Sequence, residues 1–218
     1  MPRGARAWGV GPGRARSATL KLPLCARFFL LLTGLAHAAE LPPRTDPRAR
    51  ALIADFKLDD LPGESGYFGR IGRSAQTVAV GARSLAAQSQ IDYLLTREWP
   101  VNDLHWLAAD DTPILLEGGP VDYFVIHPDG RAEKFTLGRD HAAGRRLVVA
   151  IPGGCHKALR LHPGAGYALM ANVLSPEWTP DRVKVRAGPE FIRRYRATAP
   201  WATDAFLRDL IGPNQVKP

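Results

Sequence analysis

Between residues 67 and 186 the chain consists of short apolar runs rich in aromatic and β-branched side chains, and glycine, proline or aspartate ends each run. This pattern predicts β-strands. Asp129-Gly130 lies between two such runs and is the clearest hairpin turn, because this dipeptide readily adopts the positive φ angles of tight turns. No long helical segment separates the runs, so the pattern favours an antiparallel sandwich or barrel over a parallel sheet. The predicted strands are 67–73, 91–96, 121–127, 132–137, 147–151, 167–174 and 183–186.

Helical patterns lie only on either side of this strand region. Asp46 and Pro47 have the residue types of an N-cap and a first helical position. Apolar residues follow them at helical spacing to about Lys57. Two further short helices are predicted at 189–197 and 203–211. We therefore expect a mostly β protein with one N-terminal helix and short C-terminal helices.

The first 38 residues have the three parts of a cleavable secretory signal peptide. Basic residues precede an apolar run at 28–35, and Ala36-His37-Ala38 supplies the small side chains of a cleavage site after Ala38. A run of eight apolar residues is too short to cross a membrane as a helix, which takes about 20. We expect a periplasmic or secreted protein with no stable membrane anchor once the signal is removed.

Removal of this segment changes the charge and the cysteine content that remain. The whole chain has a formal net charge of +8, but six basic residues and no acidic residue lie in the first 38, so the rest is near +2. That excess is too small for a phosphate-binding surface, and we expect no nucleic-acid partner. Cys25 is removed as well, which leaves Cys155 without a partner for an intrachain disulfide.

The remaining length suits a single hydrophobic core without disulfides or metals to support it. We divide the chain into a signal peptide (1–38), a proline-rich lead-in segment (39–50), one β-barrel domain (51–186) and a C-terminal helical extension (187–218).

The β-domain contains a series of short motifs: Leu52-Ile53, Glu64-Ser65-Gly66-Tyr67-Phe68, Arg73-Ser74, Tyr93-Leu94-Leu95, His105, Asp110-Asp111, Gly118, Asp129-Gly130, Leu137-Gly138, Ile151-Pro152-Gly153-Gly154 and Ser175-Pro176-Glu177-Trp178. This series resembles a little-characterised cupin family, known only as a domain of unknown function in the RmlC-like cupin superfamily. Each motif is weak alone, but they occur in the order that the family shows. The resemblance implies a double-stranded β-helix, the jelly-roll barrel of cupins, with a pocket inside the barrel and commonly a homodimer.

Cupins commonly hold a divalent metal with histidines and a carboxylate, ligands that suit first-row metals. The resemblance implies that one divalent metal ion is held here by Asp103, His105, Asp111 and His156. Asp103 and His105 would point to the same face, because side chains on a strand alternate. A metal site requires that all four side chains converge.

The sequence also departs from the family's pattern around this site. Asp110-Asp111 stands where the family has an Asp-Glu pair, and Pro113 and Leu116 stand where it tends to have Trp and His. Trp106 follows His105 in place of the usual Arg. These changes favour a pocket that has lost polar groups, either non-catalytic or reshaped for an apolar ligand.

His105 is the best single catalytic candidate, as a metal ligand or a general base, and its alternative role is that of a hydrogen-bonded structural histidine. Cys155 beside His156 suggests a thiolate pair. Adjacent strand residues face opposite ways, however, so a buried structural cysteine is the alternative. The candidate pocket residues are Glu64, Tyr67, Trp106, Asp111 and His156.

Three functions remain open at this point. The first is an exported cupin-like protein that binds a small organic ligand, sugar-like or acid-like, with no strong catalytic machinery. The second is a metal-dependent or acid-base enzyme, such as a carbohydrate isomerase or epimerase, in which Asp111 and His156 assist His105. The third is a partner-binding module, which requires that side chains of the protein itself fill the pocket.

Overall fold

The computed structural model describes residues 45–216. The signal peptide expected at 1–38, its cleavage site and most of the lead-in segment lie outside the described residues. These described residues contain twelve strands and three α-helices. The strands are β1 (Asp59–Asp60), β2 (Tyr67–Arg73), β3 (Thr77–Val80), β4 (Arg83–Ala86), β5 (Ser89–Thr96), β6 (Val101–Leu107), β7 (Asp110–Gly118), β8 (Val121–Ile126), β9 (Ala132–Leu137), β10 (His156–Leu161), β11 (Tyr167–Ser175) and β12 (Val183–Lys184). The helices are α1 (Pro47–Phe56), α2 (Pro189–Tyr195) and α3 (Asp204–Ile211).

Ten of the strands form two five-stranded sheets, in the orders β1-β2-β5-β11-β7 and β12-β6-β10-β8-β9. All of their pairings are antiparallel. β3 and β4 pair with each other as a separate hairpin. The mostly β fold expected from the sequence is confirmed, and the Asp129-Gly130 turn joins β8 to β9 as predicted.

The prediction of a strand at 147–151 is wrong. This segment makes only isolated bridges to β7, at Ile114–Val148 and Asp111–Ile151. Two residues of β7 lie between these bridges, and one of them is Pro113, which has no N–H to donate. A continuous ladder of backbone hydrogen bonds cannot form across a proline.

The helices cover the outer faces of the two sheets. Apolar side chains of α1, with Leu52 at their centre, pack against Tyr67 and Leu94 of the first sheet. Leu207 and Leu210 of α3 pack on the outward-facing residues of β6, β8 and β10. No helix within residues 45–216 is long and apolar enough to cross a membrane.

The end residues of the helices explain where they begin and end. The side chain of Asp46 accepts a hydrogen bond from the backbone N–H of Arg48 at 2.8 Å, the N-cap expected from the sequence. Thr203 caps α3 in the same way, and Gly212 follows its last residue. The two C-terminal helices therefore lie where the sequence predicts them, although α2 ends two residues earlier than expected.

Candidate functional site

A cavity of about 710 Å³ lies between the two sheets and opens to solvent at one side. Its volume falls in the range of small-molecule binding sites. Both sheets contribute apolar walls, through Phe68 and Ile91 on one side and Leu107 and Leu159 on the other. The space is therefore bounded mainly by hydrocarbon.

Polar side chains interrupt this apolar wall, and we call five of them the polar cluster: Glu64, Asn102, His105, Lys157 and Asn172. They come from the loop before β2 and from β6, β10 and β11. Side-chain alternation brings Lys157 and Asn172 to the inner face, and a β-bulge in β6 brings Asn102 and His105 to that face together. On β11, for example, Met170 packs in the core between the sheets, and Asn172, two positions on, reaches the cavity.

Lys157 is buried and its ammonium group pairs with the carboxylate of Asp111, which is also buried. Asp111 does not line the cavity but lies behind Lys157 and Asn172, and it accepts hydrogen bonds from Asn172 Nδ2 at 3.1 and 3.2 Å. This pairing balances the two charges, as buried charges require. The amide oxygen of Asn172 is buried without a hydrogen-bond partner among the described residues.

His105 is held in one orientation by the backbone. Its Nδ1 lies 2.8 Å from the carbonyl oxygen of Asp103. Because a carbonyl oxygen only accepts, Nδ1 carries the hydrogen and Nε2 keeps the lone pair of the neutral ring. Burial lowers the pKa of His105 although Glu64, whose Oε2 lies 3.6 Å from Nδ1, raises it. The ring is therefore neutral at pH 7 and is basic at Nε2.

The loop that carries Glu64 is fixed through three consecutive carbonyl groups. Gly66 ends this loop at φ +81°, and a Cβ atom there would lie 2.5 Å from Tyr93 Oη, so only glycine fits. Each carbonyl accepts hydrogen bonds from groups distant in the sequence: Gly63 O from Asn214 Nδ2 (2.6 Å), Glu64 O from Asp103 N (2.7 Å) and Asn102 Nδ2 (2.9 Å), and Ser65 O from Tyr93 Oη (2.8 Å).

Asp103 does not share a face with His105, contrary to the expectation from strand alternation. The pairing of β6 with β10 skips a position, so that Lys157 faces His105 but Leu159 faces Asn102. An extra residue of this kind is a β-bulge, which reverses the alternation locally. The carboxylate of Asp103 lies against Gly212, where a Cβ atom would be 2.7 Å from Oδ1.

The pKa of Asp103 is raised to about 6, mainly because the side chain is buried and also because the carboxylates of Glu64 and Asp209 are nearby. Asp103 is thus an acidic group between β6 and the C-terminal extension, and it does not line the cavity.

His156 and Trp106 also lie outside the cavity, on the outer face of the second sheet. They are cross-strand neighbours. The His156 ring packs 4.9 Å from that of Phe191, centroid to centroid, and burial lowers the pKa of His156 to about 4. Trp106 donates its indole N–H to Gly154 O at 2.8 Å, and Lys184 lies over its ring. Trp106 follows His105 and His156 precedes Lys157, and both of these neighbours line the cavity. Because adjacent residues of a strand face opposite ways, Trp106 and His156 point outward.

Tyr67 is a third candidate that faces away from the cavity. It is buried beneath α1 with Leu52 and Leu58. Its neighbour Phe68 lines the cavity instead. A difference of one position along a strand exchanges its two faces.

The four residues expected to hold a metal therefore do not converge. Among residues 45–216, no three His, Cys, Asp or Glu side chains are close enough together to hold a metal ion. Asp111 already faces the ammonium group of Lys157, which would repel a cation. The donor set present does not fit a divalent metal.

Cys155 pairs with a histidine other than its neighbour in the sequence. Its Sγ lies 3.4 Å from His127 Nδ1, and His127 Nε2 lies 2.8 Å from Glu133. Burial raises the pKa of Cys155, which keeps the thiol protonated. This burial agrees with the alternative considered from the sequence, a structural cysteine.

Sequence reasoning did not single out Asn102, Lys157 or Asn172. One signal was present for Asn172, which is the polar residue within the apolar strand 167–174. A polar side chain at a core-facing position of such a strand indicates either a buried hydrogen-bond network or a cavity. Lys157 gave no comparable signal, because no strand was predicted around it.

Comparison with known proteins places this architecture in a family. The family model described as "Cupin superfamily (DUF985)" matches residues 50–185. The chain belongs to the cupin superfamily. This confirms the resemblance seen in the sequence motifs, and the two-sheet fold is that of a cupin.

Two of the proteins that this chain is similar to are described only as uncharacterised or hypothetical. An uncharacterised protein of Saccharomyces cerevisiae is 28% identical over 171 residues, which covers 68% of this chain and 84% of the yeast protein. A protein from Shewanella oneidensis has a similar structure, with a TM-score of 0.64 and 25% identity over 76% of this chain and 98% of its own. A hypothetical protein from Leishmania major has a TM-score of 0.61 and 24% identity, and covers 67% of this chain and 92% of its own.

Proposed function

We propose that this cupin binds a small organic ligand in the cavity between its two sheets. The observation that carries the proposal is an apolar cavity of about 710 Å³ into which a few buried polar groups converge. One of them, Asn172 Oδ1, is an acceptor without a partner among the described residues. Leaving a buried polar atom unpaired costs about 1–3 kcal/mol, which a ligand hydrogen bond would recover.

The same cavity argues against the partner-binding module considered from the sequence. That function requires a pocket filled by side chains of the protein itself. The described residues instead leave the space between Phe68, Leu107 and Leu159 open.

A pair of valine variants tests ligand binding. Val183 lines the cavity, and Val148 is 51% exposed outside it. We expect compounds from a chemically diverse metabolite panel to raise the melting temperature of the wild type and of Val148→Trp, but not of Val183→Trp, whose indole occupies the cavity. The proposal would be contradicted if no compound raised the melting temperature of the wild type, or if the compounds raised it equally in both variants.

A second candidate function is acid-base catalysis with His105 as the base. The observation that favours it is the fixed tautomer, which leaves Nε2 as the basic atom of a neutral, buried ring. A base of this kind abstracts a proton when it lies within hydrogen-bond reach of it. Panel hits incubated in D₂O should then exchange a carbon-bound hydrogen with the wild type and not with His105→Ala. Equal exchange rates would contradict catalysis by His105.

We also propose that the protein acts outside the cytoplasm, on the strength of the signal-like first 38 residues. Expression of the full chain in a bacterial host should yield a periplasmic or secreted protein whose first residue is Ala39. An uncleaved chain in the cytosol would contradict export.

The homodimer that the family resemblance implies remains a proposal as well. Light scattering of the purified protein should give a mass of twice the mature chain. A monomer at all concentrations would contradict it.

A further inference from the structure

Hydrogen-bond donors of the polar cluster are largely used within the protein. The amide N–H groups of two asparagines and the imidazole N–H each donate to a protein oxygen, and the lysine ammonium pairs with a carboxylate. The hydroxyl of Tyr93, which also lines the cavity, donates to a backbone carbonyl. The pairs are Asn102 with Glu64 O, Asn172 with Asp111, His105 with Asp103 O, Tyr93 with Ser65 O and Lys157 with Asp111.

Three acceptors of the polar cluster also lack a hydrogen-bond partner among the described residues. Asn172 Oδ1 has no partner among residues 45–216, and Asn172 is 8% exposed. The Glu64 carboxylate makes only the 3.6 Å contact with His105 within the same part of the chain. His105 Nε2 keeps its lone pair, since Nδ1 carries the hydrogen. A ligand that satisfies these three groups must bring hydrogen-bond donors of its own.

The charges of the polar cluster favour the same kind of head group. Lys157 is balanced by Asp111, and the lowered pKa of His105 keeps its ring neutral. Glu64 is then the unbalanced charge of the cluster. In a cavity of low dielectric constant, one such carboxylate attracts an ammonium group, accepts from a hydroxyl and repels an anion.

Cations also line the cavity, in the later residues of β2. Arg73 is exposed and forms an ion pair with Glu177 at 3.3 Å. Arg70 is exposed to solvent, where water screens its charge. An anionic group could meet these arginines, but it would not satisfy Asn172 Oδ1 or Glu64.

We propose that the ligand of this cavity carries a hydrogen-bond-donating head group, an ammonium or one or more hydroxyls, on an apolar body. The head binds Glu64 and Asn172, and the apolar body contacts Phe68, Ile91 and Leu107. This inference rests on the proposed ligand-binding function and makes it specific. The acid-like ligand considered from the sequence is thereby disfavoured relative to a hydroxyl- or amine-bearing one.

Three probes with the same apolar body separate the head groups: 2-phenylethylamine, 2-phenylethanol and phenylacetate. Their dissociation constants can be measured by ligand-observed NMR with the full mature chain. We expect the amine and the alcohol to bind at least about tenfold more tightly than the carboxylate, the factor that one charge-assisted hydrogen bond supplies. All binding should be lost in Val183→Trp.

A matched pair of glutamate variants assigns the effect to Glu64. Glu64→Gln should weaken binding of the amine by about tenfold and change that of the alcohol much less. Glu190→Gln, which alters an exposed glutamate on α2, should change neither. Circular dichroism melting curves establish that both variants are folded.

Failure of this inference differs from failure of the proposed function. Phenylacetate as the tightest probe, no binding by any of the three, or an amine affinity unchanged in Glu64→Gln would overturn the head-group inference. Ligand binding as such would still stand if other panel compounds bind the wild type and not Val183→Trp.

Discussion

The space between the two sheets has two halves with opposite properties, although the same strands build both. In the packed half, Leu95, Tyr123, Val125 and Met170 are buried and in mutual contact. In the cavity half, strands β10 and β11 place the polar Lys157 and Asn172 beside open space. From this difference we infer that close packing of one half of the interior stabilises the fold, and that the cavity half is available for binding.

Even the polar atoms of the packed half have partners inside it. The Tyr123 hydroxyl lies 3.4 Å from Met170 Sδ, and the Tyr123 ring stacks on Phe135 at 5.1 Å. Asn172 Oδ1 and the Glu64 carboxylate in the cavity half have no such hydrogen bond among the described residues. Two acceptors without hydrogen-bond partners among the described residues therefore lie in the half where we propose that a ligand binds.

The largest effect on stability should come from the buried ion pair at the edge of the cavity. Asp111→Ala leaves the Lys157 ammonium buried without its partner, which should lower the free energy of unfolding by about 3–5 kcal/mol. Asp181→Ala, which breaks the exposed pair with Arg83, should change it far less. Urea unfolding curves measure both, and equal losses would mean that Lys157 is not buried as described.

A leucine in each half tests the contrast directly. Leu95→Ala in the packed half should cost about 2–5 kcal/mol, because it creates a new enclosed void. Leu174→Ala removes the same atoms from a side chain that already borders the cavity, so its loss should be smaller by at least about 1 kcal/mol. Equal losses in urea unfolding would show that the cavity half is as closely packed as the other.

Asp103 makes stability depend on pH in a predictable direction. The pKa of Asp103 is about 6 in the folded protein, against an ordinary value of 3.8 for an aspartate. Between these two pH values the folded protein therefore binds a proton that the unfolded protein has released. The free energy of unfolding should therefore fall as pH rises from about 4 to about 6. His156, with its lowered pKa of about 4, contributes in the opposite direction.

The difference between wild type and Asp103→Asn isolates the aspartate from the histidine. Unfolding curves at pH 4.5 and 7.5 should show that the wild type loses stability relative to this variant at the higher pH. Asp59→Asn, an exposed aspartate of β1, serves as the control. A constant difference between wild type and Asp103→Asn would contradict the burial of Asp103.

The smallest effect should come from the C-terminal extension. Asn214→Ala removes one hydrogen bond to Gly63 O, which is worth about 1 kcal/mol or less. Hydrogen exchange of the amides at 61–66 should nevertheless accelerate, because this bond holds the loop that carries Glu64. Unchanged exchange in that loop would show that residues beyond the family match do not support the cavity.

Sequence predicted the strands with clear apolar runs better than those whose inward-facing positions include polar side chains. The runs at 67–73, 91–96 and 121–127 match β2, β5 and β8 closely. β6, β7 and β10 were not predicted from hydrophobic pattern, because side chains such as Asp111 and Lys157 interrupt their inward-facing positions. Predictions from local sequence pattern fail most often at functional sites, where residues are retained for function and not for folding. These strands carry most of the polar cluster and the ion pair of Lys157 with Asp111.

The candidate site was only partly accessible to sequence reasoning. Glu64 and His105 were singled out, and the structure places both on the cavity. The bulge that turns Asp103 outward depends on the pairing of β6 with β10, which no single strand reveals. His156 and Tyr67 were predicted to line the pocket, but their neighbours Lys157 and Phe68 line it instead. Only the register of the sheets shows which of two adjacent residues faces inward.

The most direct test of the two-half account is a methyl NMR titration with a ligand from the panel. Resonances of Leu107, Leu174 and Val183, which line the cavity, should shift on binding, and those of Leu95, Val125 and Leu161 in the packed half should stay in place. Shifts confined to the packed half, or binding that leaves the cavity resonances unchanged, would contradict the account.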